Sequence, residues 1–198
     1  MGDSGAAKPV RSVSRARMTT EGWCSAVNAW MGYCRAKKGI YTTYTPIGTA
    51  LNSVNCGVPI NNGPQHFVAK AAFNSLDYWV RSGGTPAAAH RLEATSTTPA
   101  TLLRDADGIV LGGVRTPLVD VPVDAHSGIA GPSPSTGCIL AGSSPPLSEA
   151  RLAQLYASRA DYVQRYADAT DAAIKAGFVL AADREALIAR SDPSRIPD

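Results

Sequence analysis

His66, His90 and His126, with Cys24, Cys34, Cys56 and Cys138, are the side chains here with the widest chemical repertoire. Nucleophilic catalysis needs a base within hydrogen-bond reach of a hydroxyl or thiol. His66 lies in "NGPQHFVAK", in the first turn of a predicted helix. There the positive end of the helix dipole lowers the imidazole pKa and favours the neutral form that accepts a proton. His66 is therefore the one candidate for a catalytic role, against the plainer reading of a polar residue at a helix start. His126 stands beside Ser127 in "AHSG". Neighbours in sequence point different ways and triads are assembled in space, so this pair reads as a surface loop. A stand-alone enzyme would combine His66 with Ser127 or with a cysteine. His90 precedes a short strand with no partner in view and reads as exposed.

Other chemistries find little support. The cysteines form no C-x-x-C pair and have no histidine at ligand spacing, so no metal site is expected. They read as four unpaired thiols, with one disulfide left open. Asp105 and Asp107 belong to a turn, and Asp120 and Asp124 flank a proline segment. "LGGVRT" lacks the lysine and the following helix of a phosphate-cradling loop, and no cofactor is expected. A serine hydrolase elbow reads G-x-S-x-G on a strand-to-helix turn. No strict match exists, and the relaxed "GDSGA" around Ser4 has no strand before it.

The elements that would position these groups are mainly helical. "PINNGPQHFVAKAAFNSLDYWVRSG" begins with Asn61, Asn62 and Pro64 as start signals and ends at Gly83 or Gly84. Between them Phe67, Val68, Ala71, Ala72, Leu76, Trp79 and Val80 repeat at helical spacing, with Phe67, Leu76, Trp79 and Val80 as the large side chains to bury. "HRLEAT" (90–95) reads as a short strand. "TLLRDADGIVLGG" reads as a hairpin turning at Asp105–Gly108. Pro117 and Pro122 restrict the next segment to an edge strand or an extended crossing, and Pro132, Pro134, Pro145 and Pro146 bracket a loop. Ser148 caps a short helix with Leu152, Leu155 and Tyr156 on one face. Ser158 caps a longer one with Tyr162, Val163, Tyr166, Thr170, Ala173 and Ile174, ending at Gly177. A last helical segment turns Leu187 and Ile188 inward. The fold class is α+β or partial α/β, mainly helices with a short β-hairpin and long loops, and no βαβ alternation is present.

Composition sets the frame. With 198 residues and 44% hydrophobic residues the chain can build one domain with a real core. Residues 1–39 carry seven Lys/Arg against two acids, and the remainder is net negative. Residues 1–40 thus form an irregular basic segment and residues 41–198 the domain. Scattered charges without a recognition helix or stacking platform do not suggest a nucleic-acid partner. No apolar run approaches the ~20 residues of a membrane span, nor the apolar core of a secretory signal, so no membrane partner is expected. The Arg- and Ser-rich start superficially suits a transit peptide, and no compartment is assigned.

Three stretches in order, "PINNGPQHFVAKAAFNSLDYWVRSGGTPAAAHRLE", "GGVRTPLVDVPVDAHSG" and "LSEARLAQLYASRADYVQRYADATDAAIKAGFVLAADREALI", resemble the C-terminal portion of a bacterial family of alpha/beta hydrolase domain proteins. The resemblance covers residues 41–190, and Arg115–Pro122 (R-T-P-L-V-D-V-P) is its most specific part. It implies a hydrolase fold with a serine nucleophile and an acid far upstream, and a catalytic histidine in a Gly-Thr-x-His-Ala-Asp type segment just before the matched region. Here that place reads "RAKKGIY" (35–41), without histidine. No triad residue carries over, and His66 is implied only to pack near the active-site side. The resemblance suggests a truncated member, with residues 1–39 foreign to the family, a remnant read in another frame. Its helix faces would then need self-association or a partner to cover them. The different-class reading is a non-catalytic interaction or oligomerisation module. Arg115 is expected to pair with Asp120 or to hold backbone carbonyls, a structural role.

Overall fold

The computed structural model describes residues 55–97, 99–132 and 136–197, all within the unit Thr45–Asp198. The segment 1–40 and Cys24 and Cys34 lie outside the described residues. The strongest periodic stretch forms helix α1, Gln65–Ser82. Asn61 shapes its approach, its Oδ1 accepting the Gly63 N–H at 2.8 Å, and Pro64 occupies the N-cap. Gly83 closes the helix in the left-handed region at φ 73°, where a side chain would be strained, and its N–H donates to the Trp79 carbonyl. The apolar face is where expectation fails. Phe67 and Ala71 are buried, whereas Leu76, Trp79 and Val80 are exposed, Val80 at 77%. A 3.6-residue period says which side chains share a face, not that anything covers it.

Strands β1 (Ala94–Thr97) and β2 (Ala100–Leu102) pair antiparallel, Ser96 opposite Thr101 and Thr97 opposite Ala100. The strand expected over 90–95 therefore starts later, and exposed His90 makes only an isolated bridge to Gly113. The turn at Asp105–Gly108 forms as expected. Gly108 takes φ 83° and its N–H donates to Asp105 O at 3.1 Å, while Asp105 Oδ1 accepts the N–H groups of Asp107 and Ile109. Its flanks meet at one bridge, Arg104 to Val110, rather than as two full strands.

Two proline readings are corrected. Pro117 opens a one-turn helix α2 (Pro117–Asp120) instead of an extended crossing, because a fixed φ and a missing N–H suit the first helical position as well as they suit an edge. The loop bracketed by Pro132 and Pro146 contains helix α3, Thr136–Ala141. Cys138 in α3 is joined to Cys56, so these two are not free thiols.

Helices α4 (Glu149–Leu155) and α5 (Arg159–Lys175) start where their caps predict. Ser148 Oγ accepts the Arg151 N–H at 3.2 Å and Ser158 Oγ the Asp161 N–H at 3.1 Å. A 3-10 turn (Ala181–Asp183), α6 (Arg184–Ile188) and a second 3-10 turn (Pro193–Arg195) complete the chain. The core gathers on α5. Tyr162, Tyr166 and Ala173 pack with Leu118 and Val121 of the α2 region, Leu152 of α4, Leu187 of α6, Val179, Ile196 and Phe67. Val163, expected in the α5 stripe, is exposed. Each fully buried aliphatic side chain here contributes about 1.5–3 kcal/mol before entropy is set against it. Tyr156 enters this core with its hydroxyl donating to Pro122 O at 2.9 Å, and burial raises its pKa far above the usual phenol range. Among the described residues the architecture is helical with one two-stranded sheet.

Candidate functional site

The polar groups that the fold brings together lie around the start of α1. His66 stands half-buried in its first turn, its ring tilted against that of Phe67 with centroids 3.7 Å apart. Its pKa is held below the ordinary value, first by burial and then by the positive charges of Arg190 and Lys70, with Asp183 opposing. Lys70, one turn further along α1, donates to the buried Asp183 carboxylate. Arg190, just past α6, donates from Nη2 to Asn62 O at 2.7 Å. The helix start is thus tied to the chain's C-terminal end by two basic side chains.

His126 is not part of a surface loop. The 125–127 segment pairs with 143–145: Ala125 N–H donates to Pro145 O at 2.8 Å, and Ser127 and Ser143 exchange bonds of 2.9 Å. This pairing brings His126 Nδ1 to 2.8 Å from Ser144 Oγ. Ser144 Oγ also accepts the Asn62 N–H at 3.3 Å, so one hydroxyl joins His126 to the segment that leads into α1. Ser144 is buried, so the pair braces the wall rather than presenting an open nucleophile. Ser127 is engaged elsewhere, its Oγ accepting the Ile129 N–H at 3.1 Å and lying 3.5 Å from Arg104 Nη1. The disulfide removes Cys56 and Cys138 as thiol nucleophiles.

Behind His126 lies a cleft of about 190 Å³ between α5, the 121–126 segment and residues 190–192. Leu118, Val121 and Val123 form its apolar side, and Asn62, Asp124, His126, Arg190 and Asp192 its polar side, with Tyr162 and Tyr166 beneath. Asp124 is paired with Arg195 at 3.3 Å, and Tyr162's hydroxyl accepts the Asp192 N–H at 3.2 Å. Asn62 Oδ1 and the Tyr166 hydroxyl are buried there without a hydrogen-bond partner. A buried polar atom left unmet costs about 1–3 kcal/mol. These residues come from positions 62, 118–126, 162–166 and 190–192, and no local pattern in the sequence could have grouped them.

Both half-buried histidines make stability depend on pH. Burial is the largest influence lowering the pKa of His126, with Arg190 adding to it and Asp124 opposing. Each histidine's pKa is lower in the folded chain than the ordinary value of 6.5, so below about pH 6.5 the unfolded chain takes up protons that the folded one refuses. Their contribution is complete above that pH and is lost as pH falls through the folded-state values. Melting temperature is expected to fall from pH 7 to pH 5, and the His126→Gln variant to show a shallower fall in the same melts. An unchanged slope would mean that His126 does not drive it.

Arg115 fills both roles open to it. Its Nε donates to Asp120 Oδ1 at 2.6 Å and its Nη1 to Val110 O at 3.3 Å. Asp107 leaves its turn to take a bidentate contact from Arg151, at 2.7 and 2.9 Å, which holds its carboxyl below the usual range. Among the described residues no group of three or more His, Cys, Asp or Glu side chains could hold a metal ion, and no helix is long and apolar enough to cross a membrane.

Comparison with known proteins joins this arrangement to a class. The family model described as alpha/beta hydrolase domain matches residues 32–189, which include α1, the Arg115–Pro122 segment and helices α4 to α6. The chain belongs to the alpha/beta hydrolase domain family. Neither the curated proteins nor the solved structures contain a match.

Proposed function

We propose that these 198 residues carry the C-terminal portion of a hydrolase domain whose full-length relatives cleave ester-type bonds, and that this chain alone is inactive. In such relatives a serine attacks the acyl carbon, a histidine held by an acid takes its proton, and an oxyanion hole stabilises the tetrahedral intermediate. The elbow for that serine is missing from this sequence, and His66 is the one residue of the matched region put forward for a catalytic part. The uncovered face of α1 carries the reading. Leu76, Trp79 and Val80 stand exposed on a helix of 18 residues, as they would where a sheet packs in a complete domain. Folded, purified protein is expected to give no turnover of p-nitrophenyl esters and no serine labelled by a fluorophosphonate. A labelled serine with turnover would sink the proposal.

The same face supports a second reading, an interaction or oligomerisation module. Val68, Ala72, Leu76 and Trp79 border a groove of about 260 Å³ closed on its other side by Pro86, Ala87 and Phe178. Exposed apolar surface of this kind marks contact sites. Size-exclusion chromatography with light scattering separates the two: a fragment associates heterogeneously as concentration rises, whereas a module gives one defined oligomer that Val80→Asp dissolves.

A further inference from the structure

We infer that Asn62 is a site of spontaneous deamidation that the folded chain holds shut, with the Asn61 side chain as the main restraint. The inference is independent of the hydrolase reading, since it rests on one dipeptide and the hydrogen bonds around it. Of the six asparagines in the sequence only Asn62 precedes a glycine. In this reaction the Gly63 backbone nitrogen attacks Asn62 Cγ, a C–N bond forms and closes a cyclic imide, and the side-chain nitrogen leaves as ammonia. Water then opens the imide at either of its C–N bonds and leaves aspartate or isoaspartate. Water is consumed and ammonia released in equal amounts, with no oxidant or reductant. Glycine is the most permissive following residue, because it has no Cβ to hinder the attacking nitrogen and the greatest backbone freedom.

The fold restrains the groups that ring closure must move. The attacking nitrogen is engaged, its N–H donating to Asn61 Oδ1 at 2.8 Å. Asn62 N–H donates to Ser144 Oγ at 3.3 Å, and Asn62 O accepts from Arg190 Nη2 at 2.7 Å. The peptide groups on both sides of the Asn62 Cα are thus pinned, and the rotation that carries the nitrogen onto Cγ breaks at least one of these bonds. Asn61 is itself fixed, its Nδ2 donating to Ser127 O at 2.9 Å and its N–H to Ala141 O at 3.3 Å. Gly63 is buried and Asn62 Oδ1 is closed to solvent, so the water of the second step is kept out as well. Reaction therefore runs through local opening of the approach to α1, and its rate reports the cost of that opening. Either product places a carboxylate at the positive end of α1, and isoaspartate also lengthens the backbone between the two N–H groups that Ser144 and Asn61 hold.

Peptide mapping by mass spectrometry after timed incubation in mildly alkaline buffer tests this, with the full chain folded and the same chain unfolded in urea side by side. Asn62 is expected to deamidate in the unfolded chain and at least about ten-fold more slowly in the folded one. Asn61→Ala is expected to speed the folded chain's reaction about five-fold, the worth of one hydrogen bond, and to leave the unfolded chain's rate unchanged. Asn74, exposed in α1 and followed by serine, is the internal control, because a variant that merely unfolds raises its rate too. Arg190→Gln frees Asn62 O from the other side and is expected to raise the folded rate as well, which keeps the test open where Asn61→Ala folds poorly. Equal rates in the folded and unfolded parent, no deamidation at Asn62 in the unfolded chain, an unchanged folded rate in both variants, or Asn74 rising in step with Asn62 would each overturn the assignment.

Discussion

Replacing Cys56 with serine lowers the melting temperature by about 10–15 °C. The Cys56–Cys138 bond closes a loop with a sequence separation of 82, and tying off a loop of that length removes about 4–5 kcal/mol of chain entropy from the unfolded state. In a chain of this size each kcal/mol moves the midpoint by about 2–4 °C. Both cysteines are buried, so serine also places an unmet hydroxyl in an apolar site. Noncovalent bonds along the same seam include Ser144 N–H to Pro59 O at 2.8 Å, Asn61 Nδ2 to Ser127 O at 2.9 Å, Asn61 N–H to Ala141 O at 3.3 Å and Asn62 N–H to Ser144 Oγ at 3.3 Å. Scanning calorimetry with and without reductant checks the expectation, and the reduced parent should match the variant. Coincident melts for oxidised and reduced parent would show that the bond carries no stability.

Phe67→Ala and Trp79→Ala, two truncations on one helix, are expected to differ sharply. Phe67 is 3% exposed and belongs to the core on α5, so removing its ring costs about 3–5 kcal/mol. Trp79 is 51% exposed, and its truncation is expected to change stability by no more than about 0.5 kcal/mol. Urea unfolding gives both values, with an unchanged slope confirming that the midpoint reports stability. If Trp79→Ala costs as much as Phe67→Ala, the α1 face is already covered within the chain, and the reading of an uncovered hydrolase face falls. If it is neutral for stability but abolishes association, the face is where partners meet.

Local rules were readable in the sequence, and through-space ones were not. Gly83, Gly108, Ser148 and Ser158 each act on backbone within a few residues, and all four stand where their turn or cap chemistry places them. The family too was legible, because three stretches in fixed order carry more information than any single motif. Pro117 was ambiguous for a physical reason: the same fixed φ serves an extended edge and a first helical turn. The α1 period predicts a helix, which forms, and a buried face, of which Leu76, Trp79 and Val80 stay exposed, since burial depends on what the rest of the chain supplies. The Cys56–Cys138 bond, the bidentate contact of Arg151 with Asp107, and the Ser144 hydroxyl against His126 join positions 82, 44 and 18 residues apart. No spacing rule reaches so far. Of the candidate site, His66 and His126 are legible as residues with chemistry, whereas Asn62, Asp124, Tyr162 and Tyr166 read only as a helix start, a proline flank and a core stripe, and the cleft that His126 lines is not legible at all.

The disulfide also changes how far apart, along the connected chain, the other long-range contacts lie. Without it, the bond from Asn62 N–H to Ser144 Oγ must close a separation of 82 positions, at an entropy cost spent before any contact repays it. Once Cys56 and Cys138 are joined, Asn62 and Ser144 each lie six residues from a linked cysteine, and the same contact becomes nearly local. Remote contacts of the C-terminal end then remain, among them the bonds from Arg190 to Asn62 O across 128 positions and from Lys70 to Asp183 across 113. The cleft wall thus needs the C-terminal end to meet a frame whose effective loop length the disulfide shortens.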